Sequence, residues 1–157
     1  MDQSQLDGLN PDLARGEIVF HAAGCASCHS PPDAVGEEKL MLSGGRRFET
    51  EFGSFFAPYI SSRPEVGIGS WSALDLANAL IRGTGPEGQH YFPAFPYTSY
   101  ANMSVEDVVS LHAVLGTLPA VATESEVHEV RFPFNIRRGL GGWKLLFMSP
   151  GWVLDGD

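Results

Sequence analysis

The run Cys25-Ala26-Ser27-Cys28-His29 holds both cysteines of the 157-residue chain and ends in a histidine. Cys-x-x-Cys-His is the spacing of c-type haem attachment. Two thiols three residues apart can add to both vinyl groups of one haem, and the histidine that follows is placed to be the proximal ligand of its iron. One motif implies one haem. Other uses of these residues fit less well. A zinc site needs four ligands, and His21, His90, His112 and His128 are scattered singly with no His-x3-5-His pair among them. A thioredoxin-like pair wants a βαβ setting, whereas a helix precedes this motif. A chance occurrence on a surface loop would leave two thiols unexplained.

The length suits one domain with room for a core, and covalent haem would enlarge that core. A net charge of −9 argues against nucleic acid or an anionic membrane surface as partner. No stretch reaches the roughly 18 to 20 apolar residues that span a bilayer, so no transmembrane segment is expected. The apolar run Trp143-Lys144-Leu145-Leu146-Phe147-Met148 is short and carries a charge. The first residues, Met1-Asp2-Gln3-Ser4-Gln5, are polar and acidic and make no signal peptide. Because haem attachment of this kind is extracytoplasmic, the expected location is the periplasm, with a signal peptide already removed.

Helix signals flank the motif. Asn10-Pro11-Asp12 opens a helix expected to run from Pro11 to about Ala23, with Leu13, Gly16, Ile18 or Val19 and Phe20 inward and Gly24 as its stop. From Ser30 to Ser70 Pro, Gly, Ser and aromatics prevail. Gly44-Gly45 and Phe52-Gly53-Ser54-Phe55-Phe56 predict turns and one short hairpin. Such a long irregular segment needs an object to wrap around, which haem would supply. Ser72, Asp75 and Gly83 mark a helix over residues 73–82. Ser104 and Asp107 open another, with Val105, Val108, Leu111, Val114 and Leu115 on one side and Gly116 and Pro119 as its end. After Pro119, the acids Glu124, Glu126 and Glu129 give way to Arg131, Arg137, Arg138 and Lys144. Residues 135–147 predict a short helix broken by Gly139, Gly141 and Gly142. The expectation is a mostly α domain over residues 11–119 and an irregular extension, residues 120–157, laid over it or docking from it.

With an N-terminal helix carrying Gly16 and Phe20, the Cys25–His29 motif and a last helix bearing Val108, Leu111 and Leu115, residues 11–119 resemble a class I type cytochrome c domain. That family crosses its first and last helices closely at a small residue. The stretches Gly67-Ile68-Gly69-Ser70-Trp71-Ser72, Gly88-Gln89-His90-Tyr91-Phe92-Pro93-Ala94-Phe95-Pro96-Tyr97 and Arg131-Phe132-Pro133-Phe134-Asn135-Ile136-Arg137 are similar to the cytochrome c modules of periplasmic dehydrogenase cytochrome subunits. Those subunits often carry two or three haem motifs, so this chain corresponds to one module.

The resemblance implies haem c held by Cys25 and Cys28, with His29 on one side of the iron and methionine on the other. Met1 is terminal, Met41 lies a short loop past His29, and Met148 is in the extension. Met103 precedes the last helix, about where the family's ligand arrives. The Met-Pro pair of many members reads Phe95-Pro96 here. Met103 therefore has two readings, the sixth ligand or a hydrophobic staple on its own helix, and His90 is the next candidate for the ligand. Trp71 is a candidate propionate donor through its indole, or a packing residue. Arg46, Arg47 and Arg63 are candidates to pair with propionates. Phe52, Phe55, Phe56, Tyr59, Tyr91, Phe92, Phe95 and Tyr97 are expected to wall the haem pocket. His112 is read as a packing residue, and the basic cluster from Arg131 to Lys144 as a docking patch or a solvated face.

The implied activity is one-electron transfer without bond-making chemistry, from a dehydrogenase donor to an oxidase or reductase. Two alternatives stand beside it, a fixed cytochrome subunit of a dehydrogenase and a haem enzyme or gas sensor with a labile sixth ligand.

Overall fold

A computed structural model describes residues 1–121 and 125–148. Glu124 of the acidic cluster and the last nine positions of the extension fall outside the described residues. The fold is mostly helical with one small sheet, as expected.

Helix α1 (Leu13–Ala22) begins two residues later than the sequence predicts. Its cap is Asp12 rather than Asn10, with the Asp12 carboxylate accepting from the Arg15 amide at 3.1 Å. Gly16 and Phe20 are buried, and of the pair Ile18 or Val19 it is Val19 that packs on the core, while Ile18 and Leu13, read as inward, are exposed. Only a narrow stripe of α1 is therefore covered. The motif itself forms a short helix, α2 (Cys25–His29), entered through Gly24 at φ +68°.

Helix α3 (Ala73–Arg82) has the predicted Ser72–Asp75 capping box and Gly83 end cap. A single turn, α4 (Tyr97–Tyr100), leads to α5 (Val105–Thr117), capped by Ser104. Gly116 lies inside α5 rather than ending it. Asp107 donates its amide to Ser104 but turns its carboxylate to Arg15, at 2.6 Å, so the capping box is only half made.

α1 crosses α5 at Gly16, where a Cβ would stand 2.3 Å from the Ser110 carbonyl oxygen. Ser110 Oγ also accepts from the Asp12 amide at 3.1 Å. Phe20, Leu42, Ile68, Leu76, Ala77, Leu80, Val108 and Leu111 join around this crossing as the core.

The predicted hairpin is β1 (Arg47–Thr50) with β2 (Gly53–Phe56), paired Arg47↔Phe56 to Thr50↔Gly53. A third strand, β3 (Glu129–Val130), adds to β2 from the extension. The chain after Pro119 is thereby strapped to the domain. The Val121 amide donates to Ser61 Oγ at 3.2 Å, Tyr59 donates its amide to Ser125 Oγ at 3.0 Å, and the Arg131 amide reaches the Phe52 carbonyl at 3.0 Å.

Helix α6 (Arg137–Phe147) corrects the sequence reading of this region as irregular, because it runs unbroken through Gly139, Gly141 and Gly142. Gly141 lies so close to His90 that a Cβ there would be 2.8 Å from the ring. Lys144 turns inward, donating from Nζ to the Arg82 carbonyl at 2.9 Å and also to the Gly83 carbonyl, 4.7 Å from the centre of the Tyr97 ring. The carbonyl end of α3 is the negative end of its dipole, so an ammonium there both fills hydrogen bonds and balances charge. Lys144→Ala is expected to raise hydrogen exchange across residues 137–148 on the order of ten-fold, since hydrogen bonds to a charged group are lost. Unchanged protection would show that α6 is held by other contacts.

Candidate functional site

His29 is positioned by the loop that follows the hairpin. Gly44 donates its amide to the His29 carbonyl at 2.7 Å, Gly45 to Ala57 at 3.0 Å, and Ile60 to Leu42 at 3.1 Å. Gly44, at φ +69°, sits where a Cβ would be 2.4 Å from the Ala57 oxygen. Residues 42–46 and 57–60 are therefore laced together, and Pro58 is delivered beside the motif. Its carbonyl lies 2.8 Å from His29 Nδ1. A carbonyl can only accept, so Nδ1 carries the proton and Nε2 keeps its lone pair. Burial holds the His29 pKa below its ordinary value and favours the neutral imidazole, the form that ligates metals. Sequence reading missed Pro58, because nothing local to the motif announces a partner 29 positions away.

Cys25 and Cys28 are unpaired and partly buried. Burial pushes the Cys25 thiol up to about 11. That is the reverse of what a redox-active thiol pair requires.

The fit of a haem can be judged from the uncovered side of the core. Cys25, Ile60, Trp71, Phe95, Tyr100 and Met103 all pack on the core cluster, and all are only partly buried. Apolar side chains that pack on the core and stay only partly buried, with the Tyr100 hydroxyl bonded to Ala23 two residues before Cys25, and an imidazole whose free nitrogen is set by its own hydrogen bond, fit that group. Among the described residues, no cluster of three or more His, Cys, Asp or Glu could hold a metal ion by itself.

Met103 lies one residue before the Ser104 cap and packs on the core that includes Val108. That place suits both of its readings. His90 is drawn into the extension instead, with Nδ1 3.2 Å from Lys144 Nζ. Arg47 places its guanidinium 2.8 Å from Ser54 Oγ and 3.5 Å from both Glu49 and Glu129, on the sheet. Arg63 pairs with Glu65, and Arg46 is exposed. His112 Nε2 is 2.8 Å from the Trp71 carbonyl and ties α5 to the start of α3.

The expected aromatic wall divides into separate groups. Phe55 and Phe92 pack with His128 beneath the extension, Phe52 meets Phe134, and Phe95 contacts Tyr91, Tyr97 and Tyr100. Nothing local in the sequence foretells that rings of the extension take three of the eight, Phe52, Phe55 and Phe92.

Two histidines fasten that extension. His128 Nδ1 accepts from the Phe56 amide at 3.2 Å, and His90 Nδ1 faces the Lys144 ammonium. Burial, then the nearby Arg137 and Lys144 charges respectively, lower both pKa values. A histidine whose folded pKa is depressed contributes fully above its unfolded value, about 6.5, and its contribution is lost as pH falls below that. Hydrogen exchange over residues 125–148 is therefore expected to quicken between pH 7.5 and 5, after correction for intrinsic rates. A flat profile would show that neither contact matters to the strap.

The chain matches no protein-family model. It is 52% identical over 99% of its length to a diheme cytochrome c-type protein of Cereibacter sphaeroides, of which it spans 53%. It is 36% identical over 88% of its length to a nicotinate dehydrogenase subunit of Pseudomonas putida, covering 11% of that protein. A third relative, the fructose dehydrogenase cytochrome subunit of Gluconobacter japonicus, is 33% identical over 86% of this chain, which covers 27% of it. The chain thus spans about half of one relative and far less of the others. The class these likenesses point to is that of the c-type cytochromes. Within it, the resemblance to cytochrome c modules of dehydrogenase cytochrome subunits is shown. Among the described residues no helix is long and apolar enough to cross a membrane.

Proposed function

We propose that this stretch carries electrons one at a time through a single covalent haem c in the periplasm, taking them from a dehydrogenase and passing them towards an oxidase or reductase. The observation that supports it best is the 2.8 Å contact of His29 Nδ1 with the Pro58 carbonyl, directly after the two cysteines. In this reading Cys25 and Cys28 anchor the haem by thioether bonds, His29 ligates through Nε2, and Met103 supplies the sixth ligand. Bound haem supplies a reversible ferric–ferrous couple. The Pro58 carbonyl fixes the imidazole's orientation and raises its basicity. The partly buried apolar side chains on the core, Trp71, Phe95 and Tyr100 among them, would limit water at the bound group, and no bond-making chemistry is asked of the chain.

A second reading, a fixed module within a dehydrogenase complex, draws support from the fructose dehydrogenase cytochrome subunit among the relatives. Co-purification with a dehydrogenase through gel filtration distinguishes it from a free carrier, whose contacts are small and short-lived.

Mass spectrometry of the holoprotein is expected to show one haem per chain, lost when Cys25 and Cys28 are both replaced by alanine. The reduced protein is expected not to bind carbon monoxide. Immediate binding would point to an open site, and with it to a haem enzyme or gas sensor.

A further inference from the structure

The connection that carries Met103, residues 101–104, is tied at both ends to the helix that leads into the haem motif. On one side, the Tyr100 hydroxyl donates to the Ala23 carbonyl at 2.7 Å. Ala23 is the C-cap of α1 and stands two residues before Cys25. The carbonyl of Tyr100 in turn accepts from the Met103 amide at 2.9 Å. On the other side, Ser104 Oγ receives Arg15 Nη2 at 3.2 Å, and Arg15 Nε meets Asp107 Oδ1 at 2.6 Å. Two residues adjoining or flanking Met103 are thus bonded to opposite ends of α1, 77 and 89 positions away in sequence.

We propose that Tyr100 and Arg15 are positioning residues that hold the Met103 sulfur in place beside the haem motif. The inference rests on Met103 being the sixth ligand. A thioether is a neutral, weak ligand, so its hold on iron depends on how far its own loop can move away. Each tether restricts that movement without touching the sulfur. The two arms are unequal. Tyr100 is half-buried and packs its ring on Phe95, whereas the Arg15 pair is exposed and screened by water. The Tyr100 arm should dominate.

The test is displacement of the sulfur by imidazole in ferric holoprotein, followed through the long-wavelength sulfur-to-iron band. Tyr100→Phe keeps the ring and removes only the hydroxyl. It is expected to tighten apparent imidazole binding roughly five-fold, as loss of one hydrogen bond would, and Arg15→Gln roughly two-fold. Ser62→Ala removes a remote hydrogen bond to the Leu118 carbonyl and serves as a control. It is expected to lower Tm without changing imidazole affinity. If Tyr100→Phe and Arg15→Gln both lower Tm but bind imidazole as wild type does, they are merely structural and the proposal falls. Should Tyr100→Phe fail to fold, Arg15→Gln decides by the same readout. A Met103→Ala protein that keeps the band would instead overturn the ligand assignment, a different failure from unchanged imidazole affinity in the two tether variants.

Discussion

Gly16→Ala should cost the holoprotein about 3 kcal/mol or more of unfolding free energy. Glycine to alanine inside a helix ordinarily gains up to about 1 kcal/mol, so the contact at this position must reverse the sign. A Cβ on Gly16 would lie 2.3 Å from the Ser110 carbonyl oxygen, 2.7 Å from its carbon and 2.6 Å from Val114 Cγ2. Two of those three atoms are backbone and cannot rotate aside. α1 and α5 would have to separate, uncovering Phe20, Leu111 and Val114 and opening the Asp12–Ser110 and Arg15–Asp107 bonds. For a domain whose whole stability is about 5–15 kcal/mol, that loss is large. Gly142→Ala on α6 is the comparison, because nothing lies within 4 Å of its Cβ position. It should be neutral or slightly stabilising in the same denaturant titration. A Gly16→Ala protein as stable as Gly142→Ala would mean the helices cross with more slack than this geometry allows.

The helices were legible where their signals are local. Ser72, Asp75 and Gly83 bracket α3 within a dozen positions, and Ser104 starts α5 where its amide-accepting hydroxyl sits in the sequence. The Cys25–His29 motif was equally plain, since the chemistry demands those residues at that spacing. What remained hidden was long-range pairing. Asp107 reads as the partner of Ser104 in a capping box, yet its carboxylate goes to Arg15, 92 positions away. Nothing near His29 names Pro58 as its acceptor. The glycines of α6 read as breaks because helix propensity is a local average. Their tertiary use, letting Gly141 lie against His90 while Lys144 caps α3, outweighs it. The apolar outer side of α6, with Leu145 87% and Leu146 76% exposed, likewise defeats a pattern rule that puts apolar residues inward.

Met103→Ala should change the redox chemistry more than any other single substitution. In the proposed site the thioether is the one ligand that is neutral and soft, and such a ligand favours ferrous over ferric iron. Alanine leaves a place that water or hydroxide would fill, and oxygen donors favour the ferric state. The reduction potential is expected to fall on the order of 0.2 V, within the roughly 0.8 V that axial ligation spans. At 59 mV per decade for one electron that is more than a thousandfold shift. The sulfur-to-iron band should vanish, and the reduced variant should bind carbon monoxide where the wild type does not. Potentiometric titration with optical detection reads all of this on protein that remains folded, because Met103 sits at the margin of the core and not in its centre. If the potential moves by less than about one decade and the band persists, Met103 is the staple of α5. The sixth ligand must then be another group, and His90 could serve only by giving up Lys144, which would loosen α6 from α3.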